Sequence, residues 1–410
     1  MQRSLRRGRL ATSVYFALNG FLMGMWIVHI PAVEERAGLS HALLGWLLLV
    51  LGAGAFAGMQ LAGPLTDRFG ARRAVPVGAA LCSAAVVLPG LAGDAVTLGL
   101  ALLLLGLGNG ALDVTMNTHA VQVEHGYRRP VMSAFHALFS IGGVLAALTG
   151  ALALGRGWSP ATTLGATALA GLAVAALAAP ALLPRETAPV PQAPVPDAGP
   201  PSGTGAPQRI WILAALAFML MLCEGVANDW STLHLKEVLG APAATAALAY
   251  GAFATAMTIG RLLADRVTAR IGPVAVLRYG AALAATGLTL TALAPGIPLA
   301  LTGWTLTGIG LSGCVPQLFS AAGRLGPGSA GTAISRVAGL GYLGMLAGPA
   351  VIGPLTHLVP LNLTLLLPAA LCAIAGFAAK ILKTTAAMNA EGASEPDAGP
   401  HHPTPTPTIH

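Results

Sequence analysis

Twelve long apolar runs, separated by short segments that carry charges, prolines or glycines, constrain this chain more than any other feature of its sequence. A helix needs roughly 20 apolar residues to cross about 30 Å of hydrocarbon, and each run has about that length. Only 9% of the residues are charged and the mean hydropathy is +0.73, so a polar surface could not cover these runs in water. The sequence therefore predicts an all-α integral membrane protein with twelve transmembrane helices.

The predicted spans are grouped into two sets of six. Residues 184–208 between the sets, and residues 384–410 after them, are rich in proline, glycine and alanine and cannot bury a core. We interpret 184–208 as a cytoplasmic linker and 384–410 as a disordered cytoplasmic tail, which leaves six-helix bundles over 10–183 and 209–383. The predicted spans are 10–32, 42–62, 74–93, 96–117, 131–154, 161–182, 210–233, 243–263, 274–294, 299–321, 329–353 and 361–382.

Lysine and arginine residues are distributed unequally between the two sides of the predicted bundles. With the N-terminus in the cytoplasm, 17 of them lie on the inner side, three on the outer side and two within spans. The positive-inside rule then places both termini in the cytoplasm. The net charge of +7 follows from these short clusters, so no basic face for nucleic acid is expected.

The sequence lacks the patterns that a membrane-embedded enzyme would need. It contains no HExxH, GxSxG or GxxxxGK[ST] motif and no cluster of metal ligands. The four cysteines, Cys82, Cys223, Cys314 and Cys372, lie singly in apolar runs and are interpreted as small packing residues. We therefore expect no enzymatic activity, no metal and no resident cofactor.

The two predicted halves repeat each other. Three features recur in corresponding spans at offsets of 198, 202 and 200 residues. Paired bundles with a solute site between them are typical of secondary transporters. The matched features are Asp67-Arg68 and Arg72 with Asp265-Arg266 and Arg270, Gly106 and Gly108 with Gly308 and Gly310, and His136 with Arg336.

The loop after the second span, GPLTDRFGARR over residues 63–73, resembles the loop signature of the major facilitator superfamily. The resemblance covers about residues 10–382 and implies transport by alternating access between two bundles. In that family the loop stabilises one access state, and the matching loop in the second half is expected to do the same. Between Arg261 and Asp265, four residues apart, we expect a local ion pair. The implied gating residues are Gly63, Asp67, Arg68, Gly70, Arg72, Arg73, Arg261, Asp265, Arg266 and Arg270.

The fourth span, with GLGNGALDVTMN, is similar to the fucose-permease-like branch of this superfamily and its bacterial inner-membrane members. In that branch an acid precedes an asparagine by four residues, as Asp113 precedes Asn117 here. The acid that the branch carries in its first helix is missing from the stretch MGMWIVHIP. The resemblance implies a monomeric carrier in the bacterial cytoplasmic membrane, whose partners are a small solute and the lipid bilayer.

Polar residues inside the spans are the candidate solute and proton sites, because a charge at the bilayer centre costs roughly 2.5–3.5 kcal/mol. Asn109, Asp113 and Asn117 recur every four residues and form one polar stripe on the fourth span. An unpaired Asp113 could exchange a proton during transport, or it could hydrogen-bond a neighbouring helix. His136 on the fifth span could pair with Asp113, relay protons or simply pack.

The seventh and eleventh spans carry further candidates. Glu224 and Asn228 share one face of the seventh span, whereas Asp229 points elsewhere and lies nearer its outer end. Arg336 in the eleventh span is the expected counter-charge for one of these acids, or a ligand for an anionic solute. The first span offers Asn19 and Trp26 on a shared face, for which packing and binding remain open alternatives.

The leading functional hypothesis is proton-coupled uptake of a small polar solute, such as a sugar or a related metabolite, driven by the proton gradient. The alternative is a proton-antiport efflux pump for apolar or drug-like compounds. Drug antiporters of the superfamily carry a Gly-Pro motif in the fifth span, where this sequence has Gly142-Gly143 without a proline. The sequence therefore favours uptake.

Overall fold

The computed structural model describes residues 2–39, 41–184, 205–325 and 330–383. Within these ranges the regular structure is helical and contains no strand. The first six spans are Gln2–Arg36, His41–Phe69, Ala71–Ala85 with Leu88–Leu91, Ala95–Tyr127, Met132–Gly155, and Pro160–Ala178 with the 3-10 turn Ala179–Ala181. The last six are Gly205–Glu237, two spans within Ala243–Ala292, Ile297–Ser312 with Cys314–Gly323, Ala330–Leu355, and Leu361–Thr364 with Leu366–Phe377 and the 3-10 turn Ala378–Leu382.

Two of the later spans depart from a single straight helix. Gly272, with φ 81°, divides the helix Ala243–Ala292 into an eighth span and a ninth span. The tenth span is interrupted at Gly313 between its two helical parts. Ten described helices are long and apolar enough to cross a membrane, and these two features bring the crossings to the predicted twelve.

The segments outside the bundles are only partly described. Residues 185–204 of the expected linker and residues 384–410 of the expected tail lie outside the described ranges. The seventh span begins at Gly205, within the stretch assigned to the linker from sequence. Below, the face of the bundle that carries Gln2 and Lys383 is called the terminal face, and the face that carries Arg36 and Glu237 the opposite face.

Glycine allows spans of one half to pack backbone against backbone. A Cβ atom added to Gly110 of the fourth span would overlap the carbonyl oxygen of Ala55 in the second span. In the other half, a Cβ on Gly344 of the eleventh span would overlap the carbonyl oxygen of Phe218 in the seventh. Small residues give such close approach in membrane helices, where packing and not water exclusion holds helices together.

The two halves meet chiefly along two pairs of spans, the second with the eleventh and the fifth with the eighth. In the first pair, Gln60 Nε2 donates a hydrogen bond of 3.1 Å to the carbonyl oxygen of Ser335. The second pair carries the charged contacts described next. Several of the residues that the sequence marks as polar therefore lie close to the boundary between the halves.

Candidate transport site and terminal-face contacts

Arg261, near the middle of the eighth span, joins three spans and both halves. Its Nη2 lies 3.0 Å from Glu224 Oε1 on the seventh span, and its Nη1 donates to Ser140 Oγ on the fifth span at 3.2 Å. The Arg261 and Glu224 side chains are each 15% exposed. This is an ion pair at membrane depth that is also bonded across the boundary between the halves.

This arrangement corrects two expectations from the sequence. Arg261 does not pair with Asp265, because the Asp265 carboxylate accepts backbone N–H groups of the fifth span instead. Arg336 is not the counter-charge of an intramembrane acid. Its side chain is exposed, with Cζ 5.9 Å from the centre of the Trp211 ring, because that side of the eleventh span faces away from the boundary.

The polar stripe on the fourth span is buried and retains unused hydrogen-bonding capacity. Asp113 and Asn109 are each 5% exposed, and Asn117 is fully buried. Asn117 Nδ2 donates to the Asp113 carbonyl oxygen at 2.9 Å and to its Oδ1 at 3.4 Å. Asp113 Oδ2 and the amide oxygens of Asn109 and Asn117 have no partner among the described residues. Buried polar atoms are normally bonded, so these atoms fit contact with water or a solute.

Tyr342 of the eleventh span lies near the acidic groups of both halves, and sequence reasoning did not select it. Its hydroxyl is within electrostatic range of Asp113, Glu224 and Arg261. The signal available in the sequence was that Tyr342 is the one polar side chain between Arg336 and the end of this span. The hydroxyl adds a group that can both donate and accept a hydrogen bond.

His136 packs between aromatic rings and does not form the pair with Asp113 that the sequence suggested. Its ring centroid lies 5.3 Å from that of Phe16 and 5.7 Å from that of Phe319. Its Nε2 has no hydrogen-bond partner among the described residues. Because Phe319 belongs to the tenth span, this aromatic contact also joins the two halves.

The remaining candidates are dispersed. Asn19 is fully buried, with both side-chain polar atoms unpartnered in the described part of the chain, and Trp26 is 1% exposed. Asn228 is half-buried on the seventh span, while Asp229 is exposed. The structure gives none of these four a bond to Arg261, Glu224 or Asp113.

Two carboxylates bind the first turns of spans in the other half at the terminal face. Asp67 accepts the backbone N–H groups of Gly331 and Thr332, at 2.8 and 2.9 Å, at the start of the eleventh span. Asp265 accepts those of Ser133 and Ala134, at 2.9 and 2.8 Å, at the start of the fifth. A helix N-terminus favours an anion, because its N–H groups are unpaired and its dipole is positive there.

A third contact between the halves was not expected from the sequence. Glu124 Oε2 accepts the backbone N–H groups of Val131 and Met132, at 3.0 and 3.1 Å, while its Oε1 pairs with Arg324 Nη1 at 3.3 Å. Glu124 ends the fourth span and Arg324 follows the tenth, so this pair also crosses the boundary. Together, these contacts join the two halves at the terminal face.

The other predicted gating residues surround these contacts. Gly63 lies against Ser335 and Gly331, and Gly70, with φ 83°, begins the third span. Arg68 lies over the Phe69 ring at 5.3 Å. The exposed cations of the two loops are Arg68, Arg72, Arg73, Arg266 and Arg270.

Comparison with known proteins decides the family. A sequence profile described as Major Facilitator Superfamily matches residues 12–273 and 213–408. The chain belongs to the major facilitator superfamily. The predicted resemblance is confirmed, and this superfamily member is a multi-pass membrane protein of a transporter family, not an enzyme.

Relatives of this superfamily member cover nearly its whole length. An uncharacterised MFS-type transporter of Yersinia pestis is 34% identical over 364 residues, which cover 86% of this chain and 90% of the relative. An uncharacterised transporter of Sinorhizobium fredii is 33% identical over 375 residues, which cover 90% of this chain and 96% of the relative.

Two solved structures share the fold. FucP in the outward conformation aligns with a TM-score of 0.74 and 18% identity, covering 92% of this chain and 98% of FucP. The human organic anion transporter MFSD10 aligns with a TM-score of 0.73 and 16% identity, covering 92% of this chain and 99% of MFSD10. These likenesses confirm the twelve-helix fold.

Proposed function

We propose that this superfamily member is a secondary transporter that takes up a small polar solute together with protons by alternating access. It acts in the bacterial cytoplasmic membrane with both termini in the cytoplasm, so the terminal face is the cytoplasmic one. The observation that carries the proposal is the bonded group of Arg261, Glu224 and Ser140 at the boundary between the halves. A solute that replaces one of these bonds would be contacted by both bundles at once.

Asp113 is the proposed proton site. Asp113 is 5% exposed, has no ion-pair partner among the described residues and keeps Oδ2 free of hydrogen bonds within them. An unpaired carboxylate at this depth is costly, so a proton, or a donor group of the solute, stabilises it. Glu224 differs from Asp113 because Arg261 already compensates its charge.

The hydrogen-bonding groups around this site suit a solute rich in hydroxyl groups. The free amide oxygens of Asn109 and Asn117 and the Tyr342 hydroxyl can bond hydroxyls, whereas Arg261 is already bonded to Glu224 and offers less to an anion. FucP, which shares the fold, is described as a fucose:proton symporter. That description supports a sugar-like solute for this chain as part of the proposal.

The contacts that join the halves at the terminal face support a carrier that is closed on this side and receives solute from the opposite face. Asp67, Asp265 and Glu124 each bond across the boundary at the terminal face. Loading from outside would then be followed by release of these contacts and exit into the cytoplasm. This order of events is the proposed uptake cycle.

A thermal-shift screen of the purified protein against sugars, organic acids and amines tests this proposal. We expect stabilisation by a sugar-like solute, lost in Glu224→Gln and retained in Arg336→Gln, whose arginine lies outside the site. Stabilisation by apolar compounds alone, or a sugar effect that Glu224→Gln leaves intact, would contradict the proposed site and favour the efflux alternative.

A further inference from the structure

We propose that a groove on the outer side of the N-terminal half binds an anionic phospholipid, with an acyl chain in the groove and the headgroup on Arg73. The groove lies between the second and third spans, and the fourth span forms its floor. Its volume is about 390 Å³, within the range of sites that bind small molecules. The proposed binding does not depend on the transport function proposed above.

The groove exists because two consecutive spans pack mainly on a third. The second and third spans contact each other little, while both pack closely against the fourth. A Cβ atom added to Gly58 of the second span would overlap the carbonyl oxygen of Leu107. One added to Gly78 of the third span would lie 3.0 Å from backbone atoms of Leu112. Because glycine holds both walls against the floor, the groove is formed before a ligand enters.

The walls of the groove are apolar. Leu61, Leu65 and Phe69 line the wall that belongs to the second span. Val77 and Leu81 line the wall that belongs to the third. These five side chains are between 45% and 60% exposed, so the groove opens to the surroundings of the bundle along its length. A ligand that fills it must therefore present an apolar surface.

The length of the groove corresponds to one leaflet of a bilayer. From Phe69 at the terminal face to Gly58, the second span rises by roughly 16 Å. The hydrocarbon core of a bilayer is about 30 Å thick, so one leaflet contributes about 15 Å. The floor carries Thr115, whose hydroxyl donates to the carbonyl oxygen of Leu112 within the same span at 3.1 Å. An acyl chain that enters at the terminal face can therefore end near the bilayer midplane without desolvating an unbonded hydroxyl.

Arg73 provides the contact for the headgroup. It is exposed, lies in the first turn of the third span and is the cation among the residues that line the groove. Its backbone N–H donates to the carbonyl oxygen of Gly70 at 3.1 Å, whereas its guanidinium makes no hydrogen bond or ion pair to the described residues. A guanidinium can bind a phosphate through two parallel hydrogen bonds, and arginines at a membrane surface attract anionic lipids. The groove and Arg73 together fit a ligand with an apolar chain and an anionic head.

The groove is separate from the boundary at which the candidate transport site lies. On the second span, Gln60 and Gly63 contact Ser335 of the eleventh span. Leu61 and Leu65 lie on the other side of the same helix and line the groove. A lipid in the groove therefore does not occupy the boundary, and its binding can be measured without a solute.

Native mass spectrometry of the full-length protein in a neutral detergent tests the headgroup contact. Phosphatidylglycerol and phosphatidylcholine with identical acyl chains are compared as the first lipid to bind. We expect several-fold higher occupancy for phosphatidylglycerol. Arg73→Gln should lower it to the level of phosphatidylcholine, and Arg73→Lys, which keeps the charge, should retain most of the preference.

Arg270→Gln is the matched control, because Arg270 is an exposed arginine of the corresponding loop in the other half. This variant should keep the wild-type preference for phosphatidylglycerol. Equal occupancy of the two lipids in the wild type, or an equal loss of preference in Arg73→Gln and Arg270→Gln, would overturn the proposal.

A phosphatidylglycerol with a photoreactive diazirine in its acyl chain tests the groove itself. We expect adducts at Leu107, which is half-buried in the floor, where a chain inside the groove reaches it. Ala111→Leu fills the floor and should lower these adducts several-fold. Ala173→Leu, on the exposed side of the sixth span, should leave them unchanged. Adducts confined to exposed side chains outside the groove would show unselective surface lipid and overturn the proposal.

Two other occupants predict different results in the same assay. Displacement of phosphatidylglycerol by inorganic phosphate would assign Arg73 to a free anion. Displacement by an uncharged apolar compound that binds wild type and Arg73→Gln equally would assign the groove to that class of ligand. Either result would overturn the proposal, whereas we expect neither competitor to displace the lipid. Because both readouts measure lipid binding alone, a failure of the proposed uptake function would be distinguishable from a failure here.

Discussion

Asp67 and Asp265 make the same contact from opposite halves of the molecule. Each carboxylate accepts two backbone N–H groups at the start of a span in the other half. The partners of Asp67, residues 331–332, and those of Asp265, residues 133–134, are separated by 198 residues, as are the two aspartates. The internal repeat of the sequence is thus reproduced as a pair of symmetric contacts at the terminal face.

Asp67→Asn should favour opening of the terminal face. Asparagine keeps one acceptor oxygen but loses the charge that strengthens both bonds, a loss of about 1–2 kcal/mol. The population of open molecules should rise about tenfold. Val121 is 2% exposed and lies against Gly323 of the other half, so Val121→Cys should react with a water-soluble maleimide only when the terminal face opens. Labelling of this cysteine in the Asp67→Asn background measures the change.

Asp94→Asn is the matched control for that experiment. Asp94 also accepts two N–H groups at a helix start, those of Val96 and Thr97 at 2.9 Å, but within its own half and on the opposite face. Labelling of Val121→Cys should therefore remain at the wild-type rate in Asp94→Asn. An equal increase in both aspartate variants would show a general loss of stability and contradict a gating role for Asp67.

Replacing one member of the Arg261–Glu224 ion pair should destabilise the protein more than replacing both members together. Arg261→Gln leaves Glu224 as an unpaired acid, and Glu224→Gln leaves Arg261 without its counter-charge. Fully buried pairs lose roughly 3–5 kcal/mol in such variants, and the partial exposure here lowers our expectation to about 2–4 kcal/mol. The double variant should recover part of the loss, which thermal unfolding in detergent would measure.

Arg336→Gln provides the comparison for this pair. Arg336 is also an arginine within a span, but its side chain is exposed beside Trp211 and bonds no acid among the described residues. Its removal should change the unfolding temperature little. If Arg336→Gln lowers the unfolding temperature as much as Arg261→Gln does, the effect would not be specific to the Arg261–Glu224 ion pair.

Gly110→Ala should destabilise the N-terminal half through contact between backbones. The added Cβ would overlap the carbonyl oxygen of Ala55, so the second and fourth spans must separate, at a cost of about 1–3 kcal/mol. Gly251→Ala has no atom within 4 Å of the added Cβ and should leave stability equal or slightly higher. Similar losses for both variants in thermal unfolding would contradict the close packing described here.

The sequence predicted the spans and their pairing into halves well, because hydropathy depends on composition and not on the details of packing. Its least accurate structural expectations concerned the direction of side chains around a helix. A spacing of four residues allowed an Arg261–Asp265 pair, but the rotation of the eighth span directs Arg261 toward Glu224 and Asp265 toward the fifth span. Only tertiary packing determines that rotation.

Two other features could not have been found from periodicity. Arg336 corresponds to His136 in the internal repeat, yet His136 faces the boundary between the halves and Arg336 does not. Tyr342 is the one polar side chain between Arg336 and the end of the eleventh span, so no periodic pattern of polar residues marked it. Its interaction with Asp113 and Glu224 depends on where the eleventh span crosses the other half.

Accumulation of solute in right-side-out vesicles tests the central claim most directly. The solute is the compound that stabilises the purified protein most in the thermal-shift screen, and the comparison is between wild type and Asp113→Asn under an inward proton gradient. We predict that wild type concentrates the solute inside, whereas Asp113→Asn only equilibrates it. Equal accumulation by both would contradict proton coupling at Asp113, and gradient-driven loss of solute from wild-type vesicles would contradict uptake.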